Sequence, residues 1–233
     1  MNPDFKLPKI DEKCDVLPIS GQHGVCRSYY QPDEFDIKAL VYANELVQQS
    51  VSEPHALDLG CSPYFPQSQR LARLGFYVDA FDLEKPVANF AEINQQYNNR
   101  ICYKSLDLKL LQENDLTNQY KIVYSNRCLS FLSYPDTYRL IRTLINHNKC
   151  HTRYFLAFFT IFGKYAENYP THLPLVGRYV PLNNTYAERD EMLAPVCLYT
   201  RDEILHELLG ELPISIIDII KAKSGSLKII FDV

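Results

Sequence analysis

Residues 55–84, HALDLGCSPYFPQSQRLARLGFYVDAFDLE, decide the fold. They read as a short strand ending in Asp58-Leu59-Gly60-Cys61, a tight turn, a helix with Pro66 in its first turn and Gly75 as its cap, and a second strand that delivers Asp82. A parallel strand that passes through a small-residue turn into a helix N-terminus opens a nucleotide-sized crevice at its carboxyl end. An acid about two dozen positions after the first, at the end of the next strand, stands where one carboxylate accepts both hydroxyls of a ribose.

The same alternation continues on either side. Residues 33–50 carry a helical stripe of Ile37, Leu40, Val41, Ala43 and Val47, and 86–97 form a plausible helix. Short strands at 101–103 and 120–124 lead into Ser105-Leu106-Asp107-Leu108 and Ser125-Asn126. A helix follows over 136–146, and then a near-continuous apolar run, 153–160, of the kind a strand shows when both its faces are covered. The end differs: a helix over 200–209 closed by Gly210, then strands at 214–220 and 227–233 joined by a Lys-Ala-Lys-Ser-Gly turn. So short a connection forces an antiparallel pair. The expectation is an α/β, Rossmann-like fold: a mostly parallel seven-stranded sheet, helices on both faces, and a C-terminal antiparallel hairpin. Residues 1–32, polar and Pro-punctuated, read as an arm; 33–233 read as one domain with an insert at about 163–197.

Composition bounds the function. The 233 residues are 46% hydrophobic and 22% charged, which suits a globular domain. A net charge of -4 argues against a protein that grips nucleic acid through its phosphates. Seven cysteines, odd in number and without a C-x-x-C pair, read as free thiols in a reducing compartment. The first residues show no secretory signal, and no apolar run approaches a membrane span, so the expected location is cytoplasmic.

Four blocks carry a resemblance: Leu57-Asp58-Leu59-Gly60-Cys61, the run from Gly75 to Asp82, Ser105-Leu106-Asp107-Leu108, and the run from Gln119 to Asn126 with Leu129, Phe131 and Leu132. In this order, with the hairpin after them, the chain resembles the class I S-adenosylmethionine-dependent methyltransferases, and locally the tellurite-resistance methyltransferase branch. The resemblance implies S-adenosylmethionine as cofactor and a methyl group moved by direct displacement. It implies that Asp58 binds the cofactor's amino group, that Gly60 lets the backbone approach, that Asp82 chelates the ribose hydroxyls, and that Asp107 and the Leu108 amide meet the adenine. Ser125 and Asn126 would line the passage between methyl donor and acceptor. The chain departs from the family where glycines are expected: Ser62 and Tyr64 stand there, with Pro63 between. Either the turn keeps its path, with the Ser62 hydroxyl donating to the cofactor, or the Tyr64 ring fills the pocket.

The insert is rich in Tyr, Pro and Asn and is placed to form a lid or acceptor pocket, with Tyr165, His172, Arg178 and Tyr186 as polar contacts. His172 is its lone histidine and the candidate base, needed only for an acceptor that must lose a proton. A small-molecule acceptor is expected because no recognition domain or basic face is appended. A protein side chain is the other acceptor, and a methyltransferase-fold scaffold without activity is the competing function. His147, Cys150 and His151 lack further ligands and read as solvated residues, not a metal site. Cys128 reads as a packing thiol. Tyr29 and Tyr30 either fold over the cofactor or pack on the sheet edge.

Overall fold

The computed structural model describes residue 6 and residues 32–148 and 151–233. The expected arm lies almost wholly outside the described residues, as do Tyr29, Tyr30 and Cys150.

Seven strands form one sheet: β1 (His55–Leu59), β2 (Tyr77–Asp82), β3 (Ile101–Ser105), β4 (Ile122–Ser125), β5 (Arg153–Phe158), β6 (Ser215–Lys221) and β7 (Leu227–Asp232), in the order 3-2-1-4-5-7-6. The first five are parallel; β7 runs antiparallel to both β5 and β6. The expected architecture is the observed one. Strand order reverses between β1 and β4, which pair directly, and beyond the carboxyl ends at such a switch point is where doubly wound sheets bind ligands.

Strand alternation assigns the two faces. Leu57, Leu59, Val123, Leu156 and Ile229 point to one side, where α4 (Tyr134–His147) and a π-helix (Glu203–Leu208) cover them. Ala56, Val78, Ala80, Ile122 and Ala157 point to the other, against α1 (Glu34–Gln48), α2 (Pro66–Arg73) and α3 (Phe90–Gln95). Asp58, Asp82 and Tyr124 share the parity of this second set, so their side chains leave the sheet toward α1 and α2. Asp33 caps α1 through a capping box with Asp36, and Ser133 caps α4.

Three local expectations are corrected. The helix expected over 86–97 is only α3, because the segment before it is tied to the β1–α2 loop, Val87 N donating to Pro63 O at 3.2 Å. The last helix is wound as a π-helix over its centre, and Gly210 serves close approach: a Cβ there would lie 2.4 Å from the His206 carbonyl oxygen. The insert is a folded layer, not an open loop. Tyr165, Tyr169, Ala187, Met192, Val196 and Leu198 build a small core of their own on Phe131 and Phe159, and a bridge joins Val180 to Val196. No helix among the described residues is long and apolar enough to cross a membrane.

Candidate functional site

Asp58 is the penultimate residue of β1 and is 2% exposed. Its Oδ2 accepts from Ser68 Oγ of α2 at 2.6 Å. Burial pushes its carboxyl up to about 7; the charges of Asp82 and Asp36 add to the rise, and the Ser68 hydrogen bond opposes it. An acid held so far from its ordinary range, at the switch point of the sheet, is a candidate site residue. Ser68→Ala removes the donor, and a hydrogen bond to an ionised group contributes about 1.5–3 kcal/mol against about 0.5–1.5 for a neutral one. The variant is therefore expected to melt roughly 3–12 °C below wild type at pH 8, with a smaller loss at pH 4. Equal losses at both pH values in calorimetry would contradict an ionised Asp58 at pH 8.

Gly60 follows at φ +69°, and a Cβ on it would meet Cys128 Cβ and Sγ at 2.4 Å. Glycine is required twice there, by the left-handed backbone and by the β4 loop packed against it. The rest of the turn departs from a Gly-rich loop. Ser62 takes φ +67°, and its hydroxyl accepts from Tyr64 N at 3.2 Å where the sequence reading had it donating to the cofactor. Ser62 N donates to Asp82 Oδ2 at 2.8 Å, and Gly60 N to Phe81 O at 2.8 Å. Asp82 also accepts from Glu84 N at 3.0 Å, so this carboxylate stitches the loops after β1 and β2 together. A carboxylate offers about four lone-pair sites, and two amides do not exhaust it.

Asp107, beyond β3, is half-buried and accepts from Lys109 N at 2.9 Å; the Leu108 side chain is in the core. Ser125, at the end of β4, is fully buried and donates to Leu59 O at 3.1 Å, pinning β4 to β1 at the switch point. Asn126 lies against the start of α1, its Nδ2 donating to Asp36 Oδ1 at 2.9 Å. Asp58, Gly60, Ser62, Asp82 and Ser125 are thereby gathered at the carboxyl ends of β1, β2 and β4, with Asp107 one strand further out.

The structure adds residues that the sequence reading missed. Asp36 is fully buried and accepts from Tyr124 Oη as well as Asn126. Asp33 pairs with Lys228 of β7 and with Arg127 at 3.4 Å. Burial works to raise the Asp33 carboxyl, but the charge and hydrogen bond of Lys228 outweigh it and hold the group below its ordinary range. The available signals were a lysine inside the apolar strand LKIIF and two acids spaced as a helix cap.

His172 is exposed on the insert. Tyr165 and Arg178, expected as pocket contacts, are structural: Tyr165 Oη donates to Asp190 Oδ2 at 2.7 Å, and buried Arg178 pairs with Glu203. Tyr186 is 39% exposed. Burial, reinforced by the charges of Asp82 and Asp58, pushes the Cys128 thiol far up, which removes it as a nucleophile. No cluster of three metal-ligating side chains occurs among the described residues, and His147 Nε2 is engaged with Asn118 O at 2.7 Å.

No protein-family profile matches the chain, and no curated protein does. Solved structures do. A S-adenosylmethionine-dependent methyltransferase from Clostridium acetobutylicum is 10% identical, with a TM-score of 0.59 over 86% of this chain and 92% of its own. The 1,6-didemethyltoxoflavin-N1-methyltransferase of Burkholderia thailandensis, with 1,6-didemethyltoxoflavin and S-adenosylhomocysteine bound, is 18% identical, with a TM-score of 0.54 over 88% and 83%. The glycopeptide N-methyltransferase MtfA in complex with S-adenosylhomocysteine is 16% identical, with a TM-score of 0.51 over 83% and 86%. The chain has the Rossmann-like fold seen in S-adenosylmethionine-dependent methyltransferases.

Proposed function

We propose that the protein is a S-adenosylmethionine-dependent methyltransferase acting on a small-molecule acceptor. The observation that carries this reading is Asp58, a buried carboxyl pushed up to about 7 beside Gly60 at the switch point. The residues present suit the cofactor: an ammonium relieves Asp58 of its uncompensated charge, and the Gly60 turn admits a close approach. In this reading Asp82 takes the ribose hydroxyls, Asp107 and the Leu108 amide the adenine, and Ser62 and Ser125 hold the loops that carry them. The sulfonium supplies an already electrophilic methyl group, so the chain's own task is alignment and exclusion of water. Asn126 lines the transfer passage, and His172 is the imidazole available as base for an acceptor that must lose a proton. The blocks that resemble the tellurite-resistance branch, the mixed charges of the insert and the small acceptor bound in the toxoflavin enzyme favour a small molecule over a protein side chain.

A second reading, a methyltransferase-fold binding protein without activity, draws on Cys128 packed against Gly60 and on the two amides already bound to Asp82. Calorimetry with S-adenosylmethionine and S-adenosylhomocysteine separates the two. The first predicts saturable one-to-one binding of both; the second predicts no heat from either at about 1 mM, a concentration at which even a 4 kcal/mol interaction registers.

A further inference from the structure

Two side-chain amides hang on Asp36, and each leaves its oxygen without a donor. Gln67, the second residue of α2 and 3% exposed, donates Nε2 to the Asp36 carbonyl at 3.1 Å. Asn126, just beyond β4, donates Nδ2 to Asp36 Oδ1 at 2.9 Å and toward Asp33 Oδ2 at 3.5 Å. These contacts fix both amides: a flip would turn an oxygen onto a carbonyl in one case and onto two carboxylates in the other. Gln67 Oε1 and Asn126 Oδ1 therefore face away from Asp36, buried and without a hydrogen-bond partner. Buried acceptors are almost always satisfied, and a pair left open on one anchor, flanking the switch point, fits a ligand that brings its own donors.

Building on the methyltransferase reading above, we propose that Gln67 Oε1 and Asn126 Oδ1 receive the two N–H groups of the methyl-accepting nitrogen, and that the acceptor is a primary amine. In the transfer the nitrogen lone pair forms the new N–CH3 bond while the S–CH3 bond breaks, its electron pair passing to sulfur to give the thioether. The nitrogen becomes cationic as this happens, so its hydrogen bonds to the two oxygens strengthen on the way to the transition state. The surplus proton leaves to water after transfer. An amide oxygen is no base, so the same bracket gives an alcohol no help in losing its proton. Asp36 is the positioning residue: it fixes both amides, and no cation among the described residues pairs with it.

Sinefungin tests this by binding alone. It carries an amine-bearing carbon in place of the sulfonium and its methyl, and so presents N–H donors at the transfer position; S-adenosylhomocysteine presents none there. Wild type is expected to bind sinefungin about tenfold more tightly than S-adenosylhomocysteine in calorimetry. Asn126→Leu and Gln67→Met should each reduce that ratio at least threefold while moving S-adenosylhomocysteine affinity less than threefold. Gln67→Met leaves the Asp36 carboxylate's contacts intact, and it carries the test if Asn126→Leu does not fold. A wild-type ratio near one overturns the proposal. So does an equal loss of both ligands in the variants, which would give the bracket to the cofactor's own ammonium. If wild type binds neither ligand, the methyltransferase reading itself has failed, a result distinct from either.

Discussion

Asp58→Asn melts well above wild type at pH 8 and at nearly the same temperature at pH 4. The carboxyl is buried against α2, and burial, with the nearby charges of Asp82 and Asp36, raises it from 3.8 to about 7 despite the Ser68 hydrogen bond. The unfolded chain releases this proton near 3.8, whereas the folded chain keeps it until about 7. Between those values the native state binds more protons, so stability falls as pH rises across the window and stays reduced above it. A gap of about three pH units corresponds to about 4 kcal/mol, an order-of-magnitude figure. Asparagine has the same shape, carries no charge and still accepts from Ser68, so it removes that penalty. For a chain of this size the gain is roughly 8–16 °C in calorimetry at pH 8. An unchanged melting temperature there would show that Asp58 ionises in its ordinary range. In the methyltransferase reading the same substitution costs cofactor affinity, because the ammonium loses its counter-charge; stability withheld from the empty fold is recovered on binding. Cofactor affinity should accordingly weaken by up to about tenfold per pH unit below 7.

The fold was legible because it is written in local periods. Residues 55–84 alternate strand, turn and helix with Pro66 and Gly75 as punctuation, and the observed β1, α2 and β2 follow that reading closely. Less was legible in α2 itself. By period Leu71 and Leu74 face inward, yet Gln67, Ser68, Gln69 and Arg70 are buried as well. Polar residues on a short helix look solvated until their partners are known, and those partners are remote: Gln67 meets Asp36, Ser68 meets Asp58, and Gln69 accepts from Tyr97 Oη at 2.8 Å. Lys228 and Asp33 illustrate the same limit. They meet only because β7 closes the sheet beside β5 and brings the end of the chain to the start of α1. The insert defeated pattern reading for another reason. Its core joins Tyr165 and Tyr169 to Met192, Ala194, Val196 and Leu198 across more than twenty residues of turns, and Tyr165 bonds to Asp190 within the same layer. Periodicity reports elements; it does not report a layer built from turns.

Asp82→Ala is expected to lose both cofactor affinity and stability, and the second loss changes how the first must be measured. Read from sequence alone, Asp82 is a ribose ligand at a strand end, and its removal should leave the melting temperature nearly unchanged. The structure overturns that expectation: the carboxylate accepts from Ser62 N at 2.8 Å and Glu84 N at 3.0 Å, holding the turn after β1 to the turn after β2. Alanine orphans both amides, and hydrogen bonds to a charged group contribute about 1.5–3 kcal/mol each, so the fold should lose about 3–6 kcal/mol. Asp82→Asn keeps one acceptor oxygen and should lose about half as much. Affinity is then read at low temperature, where the variants remain folded, with S-adenosylhomocysteine as ligand. The loss of a charge-assisted pair to the ribose predicts a roughly ten- to hundredfold weaker dissociation constant in both variants. Because alanine and asparagine differ in stability but share the missing charge, parallel affinity losses assign the ribose to Asp82. Affinity that tracks stability instead, falling far more for alanine, assigns the carboxylate to shaping the loop. Undiminished affinity in folded Asp82→Ala would remove Asp82 from the site.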